Sequence, residues 1–343
     1  MRMRAGTVVA QASCRVDLAG GTLDLWPLYL YHPGAVTVNF ALSIATACRL
    51  EPRRGKGICL RSVDTQTEER FADLEELRRA RRVRHRIGRH LVDYFAPRGG
   101  FLLETHSESP AGAGISGSSA LMIAVTAALA RYCGRELDRE QMRVLAQNVE
   151  AQIIGVPTGC QDYYPALYGG MSAIHLGPEG VRREALPVHP EDVDERFVLA
   201  YTGVPRQSGI NNWEVFKRHL DGDKKVGRNF RQIAAIAAAM RAALLRADWK
   251  ETSRLLRAEW KLRRGNYPGI STPAIDRLML EARRHGALAA KVCGAGGGGC
   301  IVFMVEPGTK PRVNQAIADA GGQILPLKLC TEGLRISGEP RLP

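Results

Sequence analysis

The spacing of hydrophobic and polar residues predicts a mixture of helices and strands that changes character near residue 200. Before that point, short apolar runs typical of strands alternate with helical stretches, whereas helical periodicity dominates after it. We therefore expect an α+β protein of two domains, with limits at 1–195 and 196–343. The predicted strands cover residues 7–18, 35–50, 58–63, 101–104, 168–176, 197–202, 289–293, 300–305 and 323–329. The predicted helices cover about 73–95, 118–132, 138–155, 229–247, 249–264, 274–285 and 312–320.

One predicted helix carries recognisable signals at both ends. Asp138 is a good N-cap, Gln141 follows three residues later as in a capping box, and Gly155 suits the C-terminal end. Glu150 lies beside the edge of the apolar stripe of this helix. The residue pattern alone is compatible with a functional acid and with a partly exposed helix carboxylate at this position.

A glycine-rich loop between a predicted strand and a predicted helix is the first candidate for binding chemistry. Its sequence, PAGAGISGSSA at 110–120, satisfies the GxGxxG pattern of dinucleotide-binding folds. That fold also requires a second parallel strand with an acidic end, but here the next element is a helix. A P-loop is excluded too, because no Lys-Ser/Thr pair follows the glycines.

The same loop still has the chemistry of an anion site. Glycines let backbone N–H groups approach an anion closely, and the helix that follows adds the positive end of its dipole. Ser118 and Ser119 can supply a hydroxyl to a metal-bound phosphate. The simpler alternative is a glycine turn with serine caps.

A second glycine-rich loop, KVCGAGGGGC at 291–300, repeats the pattern but leads into a strand. Four consecutive glycines cost conformational entropy unless the backbone must pass close to a neighbouring group. Taken alone, this loop is more typical of a tight β-turn. Lys291 is either a structural neighbour of the loop or a phosphate contact.

Composition and charge narrow the class of protein. The 343 residues are 45% hydrophobic and 24% charged, which is ordinary for a globular protein. The eight cysteines are scattered without a CxxC pair, as in a reducing compartment. The start of the chain imitates a targeting segment, but Gln11 interrupts its short apolar stretch. No apolar run approaches the roughly 20 residues needed to span a bilayer, so we expect a cytoplasmic protein without a membrane partner.

The net charge of +13 is concentrated most densely in the arginine-rich segment 78–90. No aromatic residues interleave these arginines, and no known nucleic-acid-binding module surrounds them. We therefore predict a solvated, arginine-rich helix face and no nucleic-acid partner. Long-range attraction of a polyanion such as ATP or a sugar phosphate is the alternative role.

Together with the N-terminal segment, the two loops resemble the three motifs of the GHMP kinases, a superfamily that includes galactokinase, homoserine kinase and mevalonate kinase. The motifs are CRVDLAGGTLD at 14–24, PAGAGISGSSA at 110–120 and KVCGAGGGGC at 291–300, and their order and spacing cover nearly the whole chain. Within the superfamily, the chain is most similar to the D-glycero-D-manno-heptose 7-phosphate kinases and related fucokinases. The segments that carry this similarity are RVDLAGG at 15–21, GVPTGCQD at 155–162, YGG at 168–170, YTG at 201–203 and ISTP at 270–273.

The resemblance implies a two-domain GHMP kinase fold, with a ribosomal-protein-like β/α N-terminal domain and a ferredoxin-like C-terminal domain. It implies ATP between the domains, Mg²⁺ held by Ser118 and Glu150, and phosphorylation of a hydroxyl on a sugar or sugar phosphate. Asp162 would accept the proton of that hydroxyl, and Arg15 would stabilise the negative charge. The implied nucleotide-binding residues are Pro110, Gly112, Ala113, Gly114, Ile115, Ser116, Gly117, Ser118 and Ser119. The implied substrate-binding residues are Arg15, Asp24, Asp162, Tyr168, Thr202, Arg206, Gly296 and Gly297.

Two departures from the family pattern bear on the substrate. A gapless match puts Gly117 where a serine is usual, and Thr22-Leu23-Asp24 stands where heptose kinases carry Gly-Thr-Asp. Alternatives to a heptose phosphate are therefore another sugar, a uronate or a non-sugar alcohol. A non-catalytic binding protein of the same fold is a further alternative, against which the retention of the implied catalytic and metal-binding residues argues. Both a monomer and a homodimer are compatible with the sequence.

Overall fold

Two β-sheets organise the computed structural model, which describes residues 6–206 and 210–338. The first five residues of the leader-like start lie outside this range. The strands are β1 (Val8–Ala19), β2 (Val36–Arg53), β3 (Ile58–Ser62), β4 (Thr67–Phe71), β5 (Gly100–Ser107), β6 (Met171–Gly177), β7 (Gly180–Leu186), β8 (Phe197–Tyr201), β9 (Ala287–Val292), β10 (Cys300–Val305), β11 (Gln323–Leu325) and β12 (Arg335–Ser337).

Eleven α-helices cover these sheets in the described part of the chain, with short 3-10 helices at Leu28–Tyr31 and Pro268–Ile270. The α-helices are α1 (Leu74–Arg79), α2 (Arg86–Phe95), α3 (Gly117–Tyr132), α4 (Arg139–Ile154), α5 (Tyr163–Tyr168), α6 (Pro190–Arg196), α7 (Ile210–Leu220), α8 (Lys224–Leu245), α9 (Trp249–Arg264), α10 (Pro273–Arg284) and α11 (Lys310–Asp319). None of them is both long and apolar enough to cross a membrane.

The larger sheet joins β12, β1, β2, β5, β3 and β4 in that order, and β6 and β7 extend it from β2. Its neighbouring strands are antiparallel except for the β3–β5 pair. The smaller sheet has the antiparallel order β11, β8, β10 and β9. Because β12 pairs with β1, the last described strand belongs to the first sheet. The domain limit at residues 195 and 196 stays a prediction.

Hydrophobic burial explains why α3 begins directly after the first glycine loop. This helix packs against β1 and β2, and apolar residues such as Ile123, Val125 and Leu129 are fully buried. It is apolar on nearly every face, as expected for a helix enclosed in a core. A second core lies around the smaller sheet, where Phe230 of α8 and Phe303 of β10 belong to one cluster. The first glycine loop is therefore continuous with a helix that is held in the hydrophobic core.

The signals predicted at the ends of the Asp138 helix are confirmed. Asp138 accepts a hydrogen bond from the backbone N–H of Gln141, and the Gln141 side chain accepts one from the backbone N–H of Asp138. Gly155 ends α4 with a φ of 74°, which favours glycine. These caps set the register of α4 and direct Glu150 inward, where it is buried.

The strand predicted over residues 168–176 is wrong at its beginning. Tyr163–Tyr168 form α5, and β6 starts only at Met171. The run of apolar residues before Gly169 has no alternation, so its periodicity does not distinguish a buried helix from a strand. Gly169 and Gly170 both have positive φ and end the helix before the strand begins.

The arginine-rich segment is not a single helix face. It consists of α1, a connection over residues 80–85, and α2, which begins after the N-cap His85. His85 is buried, and its ring accepts a hydrogen bond from the backbone N–H of Gly88. Most of the arginines are exposed, as predicted. The elements that the sequence pattern did not predict are β4, β7, β12, α5, α6 and α7.

Candidate active site

A cleft of about 360 Å³ collects residues from all three motifs. This volume is within the range usual for small-molecule sites. The motif residues that line it are Arg15, Asp17, Thr22, Asp24, Pro110, Ala111, Gly112, Ala113, Gly114, Ser116, Gly117, Ser118, Ser119, Gly294 and Ala295. The other lining residues are Leu25, Asp64, Ile87, Ser107, Ser109, Leu121, Glu150, Ile154, Pro157, Thr158, Gly159, Gln161, Asp162, Arg206, Asn212 and Arg263.

An ion pair between Arg15 and Asp162 lies in this cleft. Nε and Nη2 of Arg15 lie 2.8 and 2.7 Å from Oδ1 of Asp162, and Nη1 donates to the carbonyl oxygen of Gly114 at 2.9 Å. The Asp162 side chain is 21% exposed, whereas Arg15 is buried. Burial alone would lower the pKa of Arg15, but the charges of Asp162 and Asp17 raise it above the ordinary arginine value. The arginine is therefore held in a fixed orientation, and the aspartate stays accessible.

The first glycine loop is shaped by close backbone contacts. Gly112 and Gly114 have φ values of 68° and 77°. A Cβ at Gly112 would lie 2.9 Å from the backbone nitrogen of Arg206, and one at Gly114 would lie 2.8 Å from the carbonyl oxygen of Cys293. Both positions therefore require glycine for space as well as for conformation. The loop ends at the N-terminus of the sixteen-residue helix α3, where backbone N–H groups are available to an anion.

Glu150 lies beside the serines of this loop. Its Oε2 accepts hydrogen bonds from Ser119 Oγ at 2.8 Å and from the Tyr163 hydroxyl at 2.6 Å. Burial raises the pKa of Glu150, and the hydrogen bonds from Tyr163, Ser119 and Ser118 partly oppose this effect. The Ser118 side chain is exposed in the cleft. Ser119, more than Ser118, is thus the direct partner of Glu150.

The oxygen donors of Ser118 and Glu150 fit a hard cation such as Mg²⁺. Mg²⁺ prefers oxygen ligands, keeps several waters and is usually held by only one or two carboxylates together with substrate phosphates. Within residues 6–206 and 210–338, no group of three or more His, Cys, Asp and Glu side chains is arranged to hold a metal. A metal here would therefore depend on few protein ligands.

Asp24 is fixed by Gln161, a residue that motif matching did not single out. The backbone N–H of Gln161 donates to Asp24 Oδ2 at 3.0 Å, and its side chain donates to Oδ1 at 3.3 Å. Asn39 Nδ2 in turn donates to the carbonyl oxygen of Gln161 at 3.3 Å. Burial, and then the negative charge of Asp162, raise the pKa of Asp24 to about 7. Asp24 therefore changes charge near neutral pH.

Lys291 belongs to a buried ion cluster formed by Asp17, Glu259, Arg263 and Lys291. Lys291 Nζ lies 2.7 Å from Asp17 Oδ2 and 3.8 Å from Glu259 Oε1. Arg263 Nη1 lies 3.8 Å from Asp17 Oδ2 and 3.7 Å from Glu259 Oε1, and its Nη2 donates to the Gly294 carbonyl oxygen at 2.7 Å. Lys291 is completely buried. Of the two roles that the sequence leaves open for Lys291, the structure shows the structural one.

Arg206 adds a third arginine to a cleft that Arg15 and Arg263 also line. Its backbone N–H donates to the carbonyl oxygen of Gly112 at 3.2 Å. Burial, and then the positive charge of Arg15, lower the pKa of Arg206 to about 10. Arg206 is thus a cation in an environment that already carries positive charge, which suits an anionic ligand.

Several residues implied by the resemblance do not line the cleft in the described structure. Tyr168 lies between the guanidinium groups of Arg139 and Arg183, whose central carbons are 4.6 and 4.7 Å from its ring centroid. The hydroxyl of Thr202 donates to the Val204 carbonyl oxygen at 3.3 Å. The others are Ile115, buried in the core, and Gly296 and Gly297, which pack against residues 269–270 and Asn211.

Two family models match the chain. The model for the N-terminal domain of GHMP kinases matches residues 78–170, and the model for their C-terminal domain matches residues 240–323. A D-glycero-D-manno-heptose 1-phosphate kinase from Bacteriodes thetaiotaomicron has the same fold, with a TM-score of 0.78 at 21% sequence identity. That similarity covers 96% of this chain and 98% of the other. The two-domain GHMP kinase fold implied by the motifs is confirmed.

Two relatives of the chain are kinases by name. A D-glycero-alpha-D-manno-heptose 7-phosphate kinase of Campylobacter jejuni is 27% identical over 340 residues, which cover 96% of this chain and 98% of the relative. A mevalonate kinase of Thermococcus sibiricus is 30% identical over 240 residues, which cover 69% of each chain. These similarities and the arrangement of the three motifs around one cleft lead to one conclusion: the chain belongs to the GHMP kinases, and it is a phosphotransferase with an alcohol group as acceptor.

Proposed function

We propose that this kinase uses ATP and Mg²⁺ to phosphorylate a hydroxyl of a sugar phosphate. The observation that carries the proposal is the Arg15–Asp162 pair, which lies in the same cleft as a glycine loop at a helix N-terminus. A carboxylate beside an anion-binding loop is the arrangement that phosphoryl transfer to a hydroxyl requires. The proposal depends on these residues sharing one cleft and not on which domain contributes each of them.

Asp162 is the proposed catalytic base. Both contacts from Arg15 use its Oδ1, which leaves Oδ2 to accept the proton of the substrate hydroxyl. The hydroxyl oxygen then bonds to the γ-phosphorus as the bond to the bridging oxygen of ADP breaks. Because the transition state of phosphoryl transfer is loose, Arg15 contributes mainly by orienting Asp162 and by stabilising negative charge.

The nucleotide would lie along the first glycine loop and the apolar side chains next to it. Ile87, Leu121 and Ile154 line this end of the cleft together with Ser107 and Asp64. Ser118 and Glu150 would hold Mg²⁺, with Ser119 and Tyr163 fixing the carboxylate. When bound, Mg²⁺ would neutralise charge on the phosphates of the nucleotide. The apolar end would take the base, and the helix N-terminus would take the phosphates.

The remaining part of the cleft suits a polyhydroxylated anion. Asp24 would accept hydrogen bonds from sugar hydroxyls, and Arg206 would attract a phosphate. The Campylobacter jejuni relative, by its name, acts on a heptose 7-phosphate, and we propose a substrate of that class. A non-sugar alcohol is the second candidate, because the Thermococcus sibiricus mevalonate kinase is 30% identical over 69% of its length.

The proposal is tested by an acceptor panel. Purified protein is incubated with Mg²⁺-ATP and with heptoses, hexoses, uronates, their phosphates and mevalonate, and ADP release and the phosphorylated product are measured. The control is the Asp162→Asn variant, purified in parallel, which reports contaminating kinases. We expect the highest kcat/KM with a sugar phosphate and loss of turnover when EDTA removes Mg²⁺.

The outcomes separate the candidates. Turnover restricted to mevalonate, or to uncharged acceptors, would exclude the sugar-phosphate proposal while keeping the kinase family. Equal ADP release with and without acceptors would contradict the proposed reaction itself. Turnover that persists in excess EDTA would contradict the role of Mg²⁺.

A further inference from the structure

Thr22 has a backbone conformation that threonine rarely adopts. Its φ is 78°, and the hydrogen bond from the backbone N–H of Leu23 to the Gly20 carbonyl oxygen makes it the third residue of a β-turn. This position of a turn with positive φ favours glycine or asparagine. For a β-branched residue, positive φ is a genuine outlier. Threonine at this position therefore carries a backbone cost that glycine would avoid.

Among residues 20–23 of this turn, only position 22 has room for a side chain that faces the cleft. A Cβ at Gly20 would overlap the carbonyl oxygen of Val36, and one at Gly21 would overlap Asp17 of the buried ion cluster. The side chain of Leu23 is directed into the second hydrophobic core and is fully buried. Thr22 is therefore the position in this turn that can present a polar side chain to the cleft.

The Thr22 hydroxyl has a defined partner across the cleft. It donates to Asn212 Oδ1 at 3.0 Å, and both residues line the cleft together with Asp24. Asn212 lies in the first turn of α7, whose position is fixed by Asn211. Asn211 Nδ2 donates to the carbonyl oxygens of Gly269 at 3.1 Å and Ala295 at 3.3 Å. The pair thus joins motif one to a helix that follows β8 of the smaller sheet.

We propose that Thr22 and Asn212 form a specificity-determining pair that recognises a hydroxyl of the acceptor. This inference rests on the proposed function, because it assumes that the acceptor lies beside Asp24. The Thr22 oxygen retains lone pairs that accept a hydrogen bond, and Asn212 Nδ2 makes no hydrogen bond to residues 6–206 or 210–338, so it can donate one. Unfavourable backbone conformations persist mainly at functional sites, where another interaction compensates for them.

The inference explains the departure from the heptose kinase motif. In that motif a threonine occupies the position of Leu23, which here is an apolar core residue. In this chain the polar side chain that faces the cleft is that of Thr22, two positions before Asp24. An acceptor held by this chain would present a hydroxyl to a different point of the cleft than one held by a protein with Gly-Thr-Asp.

The experiment compares three variants at one position. Thr22→Val keeps the shape of the side chain but removes the hydroxyl, Thr22→Ser keeps the hydroxyl, and Thr22→Gly removes the side chain and suits the positive φ. The matched control is Thr46→Val, a buried threonine in β2 whose hydroxyl donates to the Ala12 carbonyl oxygen outside the cleft. Kinetic constants are measured for the best acceptor of the panel and for ATP, together with melting temperatures.

We expect Thr22→Val to raise the KM of the acceptor by about tenfold or more, because a polar site loses one partner. The KM for ATP should stay within about twofold of the wild type, and Thr22→Ser should lose little. Thr22→Gly should also lose acceptor affinity without a fall in melting temperature, since its backbone is relaxed. Parallel changes in the KM of acceptor and ATP, or no change in Thr22→Val, would overturn the inference.

A binding measurement keeps this test separate from the proposed reaction. The melting temperature is recorded with each sugar and sugar phosphate of the panel in the absence of ATP, for the wild type and for Thr22→Val. If the wild type phosphorylates nothing, the proposed function fails, but a sugar-dependent rise that disappears in Thr22→Val still supports the pair. A rise of equal size in both proteins, or in neither, would refute it.

Discussion

Strand β1 contributes a charged residue to each of two ion-paired groups, Arg15 to one and Asp17 to the other. The two groups differ in their exposure to the cleft. Arg15 pairs with Asp162, a carboxylate that is 21% exposed in the cleft. Asp17 pairs with Lys291, and these side chains are 1% and 0% exposed. Since alternate residues of a strand point to the same face, one strand carries both groups. We call Arg15 and Asp162 the open pair, because a ligand can reach Asp162. We call the buried ion cluster, to which Asp17 and Lys291 belong, the sealed group.

The two groups contain the same kinds of charged side chain and differ in exposure, which suits one to contact a ligand and the other to join distant segments of the chain. The buried ion cluster contains two acids and two bases, so its formal charges cancel. It joins motif one, helix α9 and the second glycine loop, and Arg263 extends it to the carbonyl oxygen of Gly294. The formal charges of the Arg15–Asp162 pair also cancel, but its exposed member, Asp162, is the proposed catalytic base.

The largest effect is expected when the open pair loses its base. Asp162→Asn should lower kcat by about 10²–10⁴-fold, because the amide cannot accept the hydroxyl proton. The amide oxygen can still accept the hydrogen bond from Arg15 Nε, but the buried guanidinium loses its nearest countercharge, so the melting temperature should fall while the protein stays folded at the assay temperature. The measurement is steady-state kinetics on the best acceptor of the panel, with circular dichroism as the folding control. Wild-type turnover in this variant would remove Asp162 from the mechanism.

Substitutions in the sealed group should lower the stability of the protein more than its turnover. Lys291→Met leaves Asp17 and Glu259 buried with Arg263 alone, so the cluster gains a net negative charge. We expect a loss of about 3–5 kcal/mol in the free energy of unfolding, measured by urea denaturation. The double variant Asp17→Asn/Lys291→Met removes both charges of the closest pair and should recover part of that loss. A double variant no more stable than the single one would show that shape, and not charge, holds this region.

A smaller effect is expected for Glu150, a buried acid beside the serines of the first glycine loop. Glu150→Gln should raise the Mg²⁺ concentration for half-maximal turnover by at least about tenfold, because a neutral amide is a poorer ligand for Mg²⁺. The folded state should not be weakened, since burial already opposes the charged form of this carboxyl. The matched control is Glu140→Gln on the same helix, where Glu140 contacts Arg143 and Tyr164 instead. Equal Mg²⁺ dependence in both variants would contradict the assignment.

Local motifs made the first glycine loop and the two members of the open pair predictable, but not the ion pair between them, which joins segments 147 positions apart. Arg15, Asp162, Ser118 and Glu150 each stand in or near a recognisable segment, and the structure brings them to one cleft. The capped helix α4 was predictable for the same reason, because Asp138 and Gly155 act on adjacent backbone groups. Tyr168 was misplaced, since an apolar run does not reveal whether it forms a helix or a strand.

Contacts between distant segments were not predictable from the residue pattern. Thr22 and Asn212 are 190 positions apart, and Lys291 and Asp17 are 274 apart. Nothing in the local pattern of α9 marks Arg263 as buried, because its neighbours Lys261 and Arg264 suggest a solvated helix end. Gln161 stood beside the predicted base, but its hydrogen bonds to Asp24 depend on how two loops pack. Such partners follow from the tertiary arrangement alone.

The smallest effect concerns the pH dependence of Asp24, which lies near the open pair but carries no countercharge of its own. Its pKa of about 7 arises from burial and then from the charge of Asp162. Only the ionised form accepts hydrogen bonds with both oxygens, so the KM of the acceptor should fall by about tenfold between pH 6 and pH 8. The comparison is Asp24→Asn with the same acceptor at saturating Mg²⁺-ATP, because titration of the acceptor's own phosphate affects both proteins equally. If the KM of the acceptor depends on pH in the same way in both proteins, Asp24 keeps one charge state between pH 6 and pH 8. The charge of Asp162 would then not raise the pKa of Asp24 into this range.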